Sequence, residues 1–189
     1  MIMVLGYDFY FYDNKKRMFE NIKLDKCANC SDIYTINQID PSFKIKTKKH
    51  LSSTYDGYDI VSGTFKSFCE NENYSGLEFV TLPNSPGFYW FKTHNIIEYD
   101  SQSYGLRFIN YNEKCQGYEE IIGASPVCLK ERVPIPDGFF RTDICFGSFE
   151  SKSPVILIGV ETLKKLKKAG FKGIDSGEIL DKYDFEKTK

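Results

Sequence analysis

Short runs of aromatic and aliphatic residues, separated by clusters of turn-forming residues, make up most of the chain. The first run, "MIMVLGYDFYFYDN" at 1–14, crowds such residues into a stretch that ends at Asp13-Asn14, which predicts a first strand. Similar β-favouring runs, "FYWF" and "NIIEY", lie within 81–100, and 134–147 contains another turn and strand. The pattern therefore predicts a protein built mainly of strands.

Two segments insert a helical spacing of apolar residues between strands. In 59–82, a short apolar run leads through a capping residue, Ser62 or Thr64, into a helix, and a second strand follows. The segment 154–180 repeats this plan, with an apolar strand, a helix that is apolar on one face and lysine-covered on the other, and Gly170 at the helix end. Two strand–helix–strand units about a hundred residues apart are typical of an internal duplication.

The predicted fold class is therefore mixed α+β, strand-rich, with two main helices. A length of 189 residues suits a single domain, 1–189. The two similar units divide this domain into structurally similar halves at about 1–100 and 101–189.

Composition favours a folded core over disorder, because 41% of the residues are hydrophobic and 16% are aromatic. Charge is balanced, with 25 Lys and Arg against 26 Asp and Glu. The one basic run, "KIKTKKH" at 44–50, is interpreted as the solvated side of a strand. Since nucleic-acid binders usually carry a strongly basic face, a nucleic-acid partner is not expected.

The sequence also predicts a location. No segment approaches the roughly 18 apolar residues that span a bilayer, and the start of the chain has neither a basic leader nor a small-residue cleavage site. We therefore expect no membrane partner and a cytoplasmic protein. In that compartment the six cysteines are expected to be reduced and to serve as buried hydrophobes, metal ligands or nucleophiles.

One cysteine pair has the spacing of a metal-binding knuckle. In "CANC", two residues separate Cys27 from Cys30, which lets both sulfurs face one ion at about 2.3 Å. A structural zinc needs four ligands, so the pair is half a site, and Cys115 is the natural candidate for a third. Four more residues are conceivable ligands: Cys128, Cys145, His50 and His94. Apolar neighbours instead predict that three cysteines fill the core: Cys69, Cys128 and Cys145.

The sequence carries no catalytic signature. It has no Gly-x-Ser-x-Gly, no His-Glu-x-x-His and no phosphate-binding glycine loop. A redox role for "CANC" is disfavoured because "IYTI" at 33–36 predicts a strand, whereas thioredoxin-type pairs begin a helix whose dipole lowers the thiol pKa. We expect no enzyme, since catalysis needs a pocket that brings His50 or His94 against a thiol or a carboxylate.

Taken in order along the chain, several segments resemble a bacterial family of double-CXXCG immunity proteins. The landmarks cover most of the chain: "KCANCSDIY", "VSGTFKSFCENENYSGLEFVTLP", "SPGFYWFKTHNIIEYD", "RFINYNEKCQGYEEIIGASP", "IPDGFFRTDICFGS" and "ILIGVETLKKLKKAGFKGI". Members pair two CxxCG knuckles and protect cells against a toxin delivered between neighbours. The resemblance implies a non-catalytic immunity protein that binds and neutralises a cognate toxin, for which a nuclease is one option.

The resemblance transfers the metal site only in part. Cys27 and Cys30 match the first knuckle, and Cys115 matches the second sulfur of the other knuckle. Three positions depart from the family pattern: Ser31 and Gln116 stand in place of glycines, and Asn112 stands in place of a sulfur. The cofactor prediction stays open between no metal and a structural zinc on three thiolates, completed by a histidine, a remote carboxylate or water.

Two clusters that mix tyrosines with acidic residues are candidate partner-binding anchors, because aromatics supply contact area and acids steer a basic partner. They consist of Tyr118, Glu119 and Glu120, and of Tyr55, Asp56, Tyr58 and Asp59. The plainer interpretation of the second cluster is a surface turn. The alternative function is a zinc-ribbon-like adaptor that binds nucleic acid or protein, stiffened by its cysteine loops.

Overall fold

The aromatic and aliphatic runs form the strands of two β-sheets, joined by two α-helices in the part of the chain that the structure describes. That structure is a computed structural model, and it describes residues 2–19, 31–36, 38–45, 47–103, 105–172 and 174–182. The prediction of a strand-rich α+β protein is confirmed. Cys27 and Cys30 lie outside the described residues.

The larger sheet has seven strands, of which six lie in the order β12-β1-β11-β10-β9-β8 and the seventh, β7, pairs with β10. Their bounds are β1 Val4–Phe9, β7 Ile96–Ile97, β8 Arg107–Asn112, β9 Gly117–Ile122, β10 Phe139–Ser148, β11 Ser153–Ile158 and β12 Glu178–Leu180. All neighbours are antiparallel except β7, which runs parallel to β10. The first strand of the chain thus lies inside a sheet otherwise built from residues beyond 95.

The smaller sheet has five strands in the order β2-β3-β4-β6-β5. Their bounds are β2 Tyr12–Asp13, β3 Leu51–Ser53, β4 Asp59–Ser62, β5 Leu77–Thr81 and β6 Phe88–Thr93. The helices are α1, Gly63–Asn71, and α2, Val160–Lys168, and a short 3₁₀ turn, Phe149–Ser151, follows β10. In the described part of the chain, no helix combines the length and the apolar character that crossing a membrane requires.

The two strand–helix–strand segments share a pairing pattern. In the first, β4 and β5 both pair antiparallel with β6, which lies between them. In the second, β11 and β12 both pair antiparallel with β1, which again lies between them. Each helix therefore connects two parallel strands that are separated by one strand from elsewhere in the chain.

The start of α1 and the end of α2 lie where the sequence predicts. Ser62 caps α1, because its Oγ accepts a hydrogen bond from the Phe65 N–H at 3.3 Å. Asn73 and Gly76, with φ of 57° and 71°, turn the chain away after α1. Gly170, with φ of 81°, does the same after α2. A residue without a Cβ adopts this left-handed conformation at low cost.

An aromatic core lies between the sheets and the helices. Phe65 of α1 is fully buried, and its ring centroid lies 5.6 Å from that of Phe91, 5.5 Å from that of Phe139 and 5.5 Å from that of Phe171. These contacts are edge-to-face, the arrangement that suits the ring quadrupole. Phe9 joins the cluster through Phe139 at 6.0 Å. Strands β6 and β10 thus meet on one helical side chain, and β1 joins them through Phe139.

Three cysteines belong to the core, as predicted. Cys69, Cys128 and Cys145 are 1%, 5% and 7% exposed. Burial raises the pKa of each thiol, because a thiolate loses its hydration there. Burial among apolar side chains therefore favours the neutral thiol at these three positions.

The prediction of a strand at 33–36 is wrong. Asp32 makes a single bridge with Lys152, and its Oδ1 then accepts hydrogen bonds from the Tyr34 and Thr35 N–H groups at 2.9 and 3.1 Å. This side-chain capping closes a turn in place of a strand. The β-favouring side chains instead contribute to a separate buried cluster, in which Ile33 packs with Tyr58 and Trp90.

We expect Phe65→Ala to lower the free energy of unfolding by about 3–5 kcal/mol, because it removes a fully buried ring that contacts β6 and β10 and leaves a cavity. Phe108→Ala is the matched control: that ring is 40% exposed, and its loss is expected to cost less than about 1 kcal/mol. Urea denaturation measures both values. Equal losses for the two variants contradict the assignment of Phe65 as the centre of the core.

Candidate functional site

The second knuckle of the sequence forms the turn of the β8–β9 hairpin. Residues 113–116 connect the strands, and Asn112 pairs with Gly117 across the base of the turn. The Asn112 Oδ1 accepts a hydrogen bond from the Lys114 N–H at 3.0 Å, and the Gln116 Nε2 donates to the Glu113 carbonyl at 3.2 Å. Asn112 therefore stabilises the turn by a hydrogen bond at the position where the family places a sulfur.

Gln116 occupies a backbone conformation that favours glycine. Its φ is 55°, in the left-handed region that side chains with a Cβ adopt only at a cost. The family pattern has glycine at this position. The turn geometry thus persists although both the sulfur and the glycine are replaced.

Three aromatic rings form a surface cluster on this hairpin, which we call the hairpin aromatic cluster: Phe108, Tyr111 and Tyr118. Phe108 is 40% exposed and Tyr111 is 51% exposed. The Tyr118 ring centroid lies 5.0 Å from that of Phe108 and 5.0 Å from that of Tyr111. The rings support one another and present apolar area to solvent, which is typical of a binding surface.

The hairpin also lies at a free edge of the sheet. β8 is the last strand of the seven-stranded sheet, and only β9 pairs with it among the described strands. Neither face of β8 is packed deeply, since each of its six residues is exposed or half-buried. An exposed edge with aromatic side chains can accept another protein segment through backbone and ring contacts.

The acidic residues beside Tyr118 are only half-buried, and each has a partner. The Glu119 Oε2 accepts a hydrogen bond from Asn110 Nδ2 at 3.1 Å, and the Glu120 Oε1 accepts one from the Ser148 Oγ at 2.9 Å. The Lys152 Nζ reaches the Glu119 carbonyl at 3.4 Å. Tyr118, Glu119 and Glu120 follow one another on β9, and Glu119 and Glu120 are held by different partners. The sequence reasoning missed Phe108 and Tyr111. The register of the hairpin places Tyr111 opposite Tyr118.

The second predicted cluster does not form one exposed patch. Tyr55 is exposed, at 55%, but Asp56 and Tyr58 are buried, at 2% and 1%. Asp56 accepts hydrogen bonds from the Met18 and Phe19 N–H groups at 2.8 and 3.0 Å. The prediction that Asp56 is exposed is therefore wrong, because its carboxylate satisfies buried backbone donors.

Tyr58 serves the core. Its ring centroid lies 4.8 Å from that of Trp90, and desolvation raises the pKa of its hydroxyl. The prediction that it is exposed is wrong, because the side chain fills the space between the small sheet and the segment that carries Ile33 and Phe43.

Asp59 faces a cavity of about 400 Å³ between the sheets, together with Tyr55. Its carboxylate accepts a hydrogen bond from the Ser53 Oγ. Burial raises the pKa of Asp59 from its ordinary value of 3.8 to about 7, and the bond from Ser53 opposes this shift. Asp59 is therefore a titrating group near neutral pH.

Cys115 is half-buried and lines a cavity of about 510 Å³ beside the hairpin. Ser31, which follows Cys30 directly in the chain, lines the same cavity, as do Cys145 and Lys152. The described residues contain no group of three His, Cys, Asp or Glu side chains that could hold a metal ion. They supply one accessible thiol, so a zinc site is incomplete without Cys27 and Cys30.

The two histidines occupy different environments. The His50 Nδ1 lies 2.8 Å from the Ser62 Oγ, and the ring packs edge-to-face on Phe171. The His94 Nε2 lies 2.8 Å from a carboxylate oxygen of Glu78. A contact between a histidine and a carboxylate is one requirement for a catalytic site, but no Ser, Thr or Cys lines the cavity that contains His94 among the described residues.

Comparison with models of known protein families finds no match, and comparison with curated protein sequences finds none either. The resemblance to double-CXXCG immunity proteins accordingly stays a prediction.

We expect the stability of the protein to fall as the pH rises from about 4 to about 7, because Asp59 keeps its proton in the folded state over that range and the unfolded chain releases it. Asp59→Asn removes this charge, so the variant should be more stable than the parent by ~2 kcal/mol at pH 8 and similar to it near pH 4.

Thermal or urea unfolding of both proteins across that pH range measures the effect. Glu113→Gln is the control, because Glu113 is exposed in the hairpin turn and its loss should leave the pH profile unchanged. An Asp59→Asn profile parallel to that of the parent contradicts the raised pKa.

Proposed function

We propose that this chain is a non-catalytic immunity protein that binds and neutralises a cognate protein toxin in the cytoplasm. The observation that carries the proposal is the hairpin aromatic cluster at the free edge of the seven-stranded sheet. Tyrosine is enriched at protein interfaces and at their hot spots, and nearby carboxylates steer a basic partner and raise its association rate. The order of segments shared with the immunity family supports the choice of partner.

The rigidity of the hairpin supports the same role. Asn112 and Gln116 hold the turn by side-chain hydrogen bonds, and Glu119 and Glu120 are tied to Asn110 and Ser148. An ordered anchor loses little conformational freedom on binding, so more of its contact energy contributes to affinity. This is the property that a tight, slowly dissociating inhibitor needs.

The adaptor alternative receives less support. The hairpin strands and turn carry Glu113, Glu119 and Glu120 against Arg107 and Lys114, so they are not the basic face that a nucleic-acid partner requires. A toxin with a basic groove, such as a nuclease, fits these charges better.

Tyr111→Ala and Tyr118→Ala are each expected to weaken binding of the toxin by about 1–3 kcal/mol, because each removes one supported ring from the cluster. The partner in this test is the product of any polymorphic toxin gene that is found adjacent to the gene for this chain. Affinity is measured by calorimetry, and protection is measured by growth when the two proteins are co-expressed. Tyr12→Ala is the matched control, since that ring is 44% exposed on the other sheet. Full affinity and protection in both hairpin variants refute the interface.

We also propose a structural zinc held by Cys27, Cys30 and Cys115. The support is that Ser31 and Cys115 line one cavity. Such an ion would cross-link the segment before Ser31 to the hairpin turn. Its role would be structural and not catalytic.

We expect about one zinc per chain by elemental analysis, and its loss together with a lower melting temperature in Cys115→Ser. Cys128→Ser is the control, because that thiol is buried in the core and should leave zinc content unchanged. If the purified protein contains no metal and a chelator does not change its melting temperature, the three thiols hold no zinc and the proposal is refuted.

The internal duplication is likewise a proposal. The shared pairing of β4-β6-β5 and β12-β1-β11 around a helix supports it.

A further inference from the structure

A cavity at the end of the small sheet collects cationic side chains that the proposed function does not use. Trp90, Lys92 and His94 occupy alternate positions along β6 and its extension, so they lie on one face of the sheet. Glu78 of β5 pairs directly with Lys92 across the strands. Arg141, near the start of β10, lines the same cavity, whose volume is about 490 Å³.

Aromatic rings hold both fixed cations in place. The Lys92 Nζ lies 3.7 Å from the centroid of the Trp90 ring, and the Arg141 Cζ lies 4.4 Å from the centroid of the Tyr34 ring. These cation–π contacts orient the charges without neutralising them. Lys92 is only 5% exposed, and desolvation lowers its pKa, with Glu78 opposing the shift. Removing a cation from water is costly, so an anion that enters the cavity offsets part of the desolvation cost of Lys92.

Two buried N–H donors at this cavity lack a hydrogen bond. Within the described residues, the Arg141 Nε and the Trp90 Nε1 have no acceptor. The Arg141 Nη1 donates to the Thr142 carbonyl at 3.1 Å, which fixes the guanidinium beside Tyr34. A buried donor without a partner is unfavourable, so these two N–H groups mark Trp90 and Arg141 as side chains that the described fold does not fully satisfy.

The charge balance of the cavity is positive. Lys92 and Arg141 are cations and His94 adds a third when protonated, whereas Glu78 is the single carboxylate among the lining residues that the structure describes. The Glu78 carboxylate contacts the His94 Nε2 at 2.8 Å and lies 4.0 Å from the Lys92 Nζ. Glu78 is therefore the anionic partner of Lys92 and His94. The described cavity lining offers no second carboxylate for Arg141.

We propose that this cavity binds an oxyanion, the phosphate or carboxylate group of a small ligand, between Arg141, Lys92 and His94. Arginine donors in a fixed fork and a compact ammonium group are the standard protein partners of such oxygens. The proposal is one of ligand binding and assigns no reaction to the site. It is separate from the hairpin aromatic cluster and goes beyond the proposed function.

The single tryptophan of the chain makes the test direct, because Trp90 is the only indole that can report. Inorganic phosphate and acetate are titrated separately at pH 7 and constant ionic strength, with chloride as the balancing anion. We expect a saturable change in Trp90 fluorescence with phosphate, with acetate or with both. The stronger of the two identifies the source of the oxyanion, and chloride alone should produce no saturable change.

Four variants define the site. Arg141→Gln and Lys92→Gln should each raise the dissociation constant roughly tenfold or more, because each removes a charge-assisted hydrogen bond. Glu78→Gln should lower it, because the carboxylate that competes for Lys92 and His94 is gone. Lys164→Gln is the control, since Lys164 is exposed on α2 and pairs with Glu161. Circular dichroism confirms that each variant is folded.

Absence of a saturable signal with both anions overturns the proposal, and so does an unchanged dissociation constant in folded Arg141→Gln. Weaker binding after Glu78→Gln also overturns the proposed arrangement of charges around the oxyanion. Toxin binding by the same variants tests whether this site is separate from the hairpin. An Arg141→Gln protein that no longer binds phosphate or acetate but still binds the toxin supports two independent sites.

Discussion

Edge-to-face packing of phenylalanine rings between the sheets is the interaction on which the rest of this structure depends. Phe65 projects from α1 into contact with Phe91 of β6 and Phe139 of β10. This contact sets where the two sheets meet. It also fixes β10, the longest strand described, which begins beside Arg141 and ends in pairing with β9. Strand β10 therefore positions both the cavity lined by Lys92 and Arg141 and the β8–β9 hairpin.

Side-chain hydrogen bonds and strand pairing together hold the β8–β9 hairpin. The Asn112 Oδ1 accepts a hydrogen bond from the Lys114 N–H within the turn, and Gln116 adopts a left-handed backbone conformation without being glycine. Ladder pairing of β8 with β9 holds the rest of the hairpin. The turn is therefore closed by contacts that are local in the chain.

Several charged or ionisable side chains are buried in this protein, and they compensate for the loss of hydration in different ways. Asp56 is matched by two backbone donors, whereas Asp59 meets its burial cost by keeping its proton up to about pH 7. Lys92 and Arg141 rest on aromatic rings at a cavity instead. A buried charged group stabilises the fold where hydrogen bonds or an opposite charge compensate for its lost hydration.

The sequence by itself determined several local elements: a strand near the start of the chain, the Ser62 cap of α1, the Gly170 end of α2, and the burial of Cys69, Cys128 and Cys145. These follow from hydrophobic spacing, capping residues and glycine, all of which act over a few residues. The turn at 33–36 is also local, because Asp32 caps it, but the β-favouring side chains there concealed it. Only the tertiary structure decided that the N-terminal run divides between two sheets, that Asp56 and Tyr58 are buried, and that Phe108, Tyr111 and Tyr118 form one cluster. The same holds for Lys92 and Arg141, which lie 49 positions apart in the chain. Their meeting depends on strand order and on desolvation, and these arise from contacts between distant segments that no local pattern records.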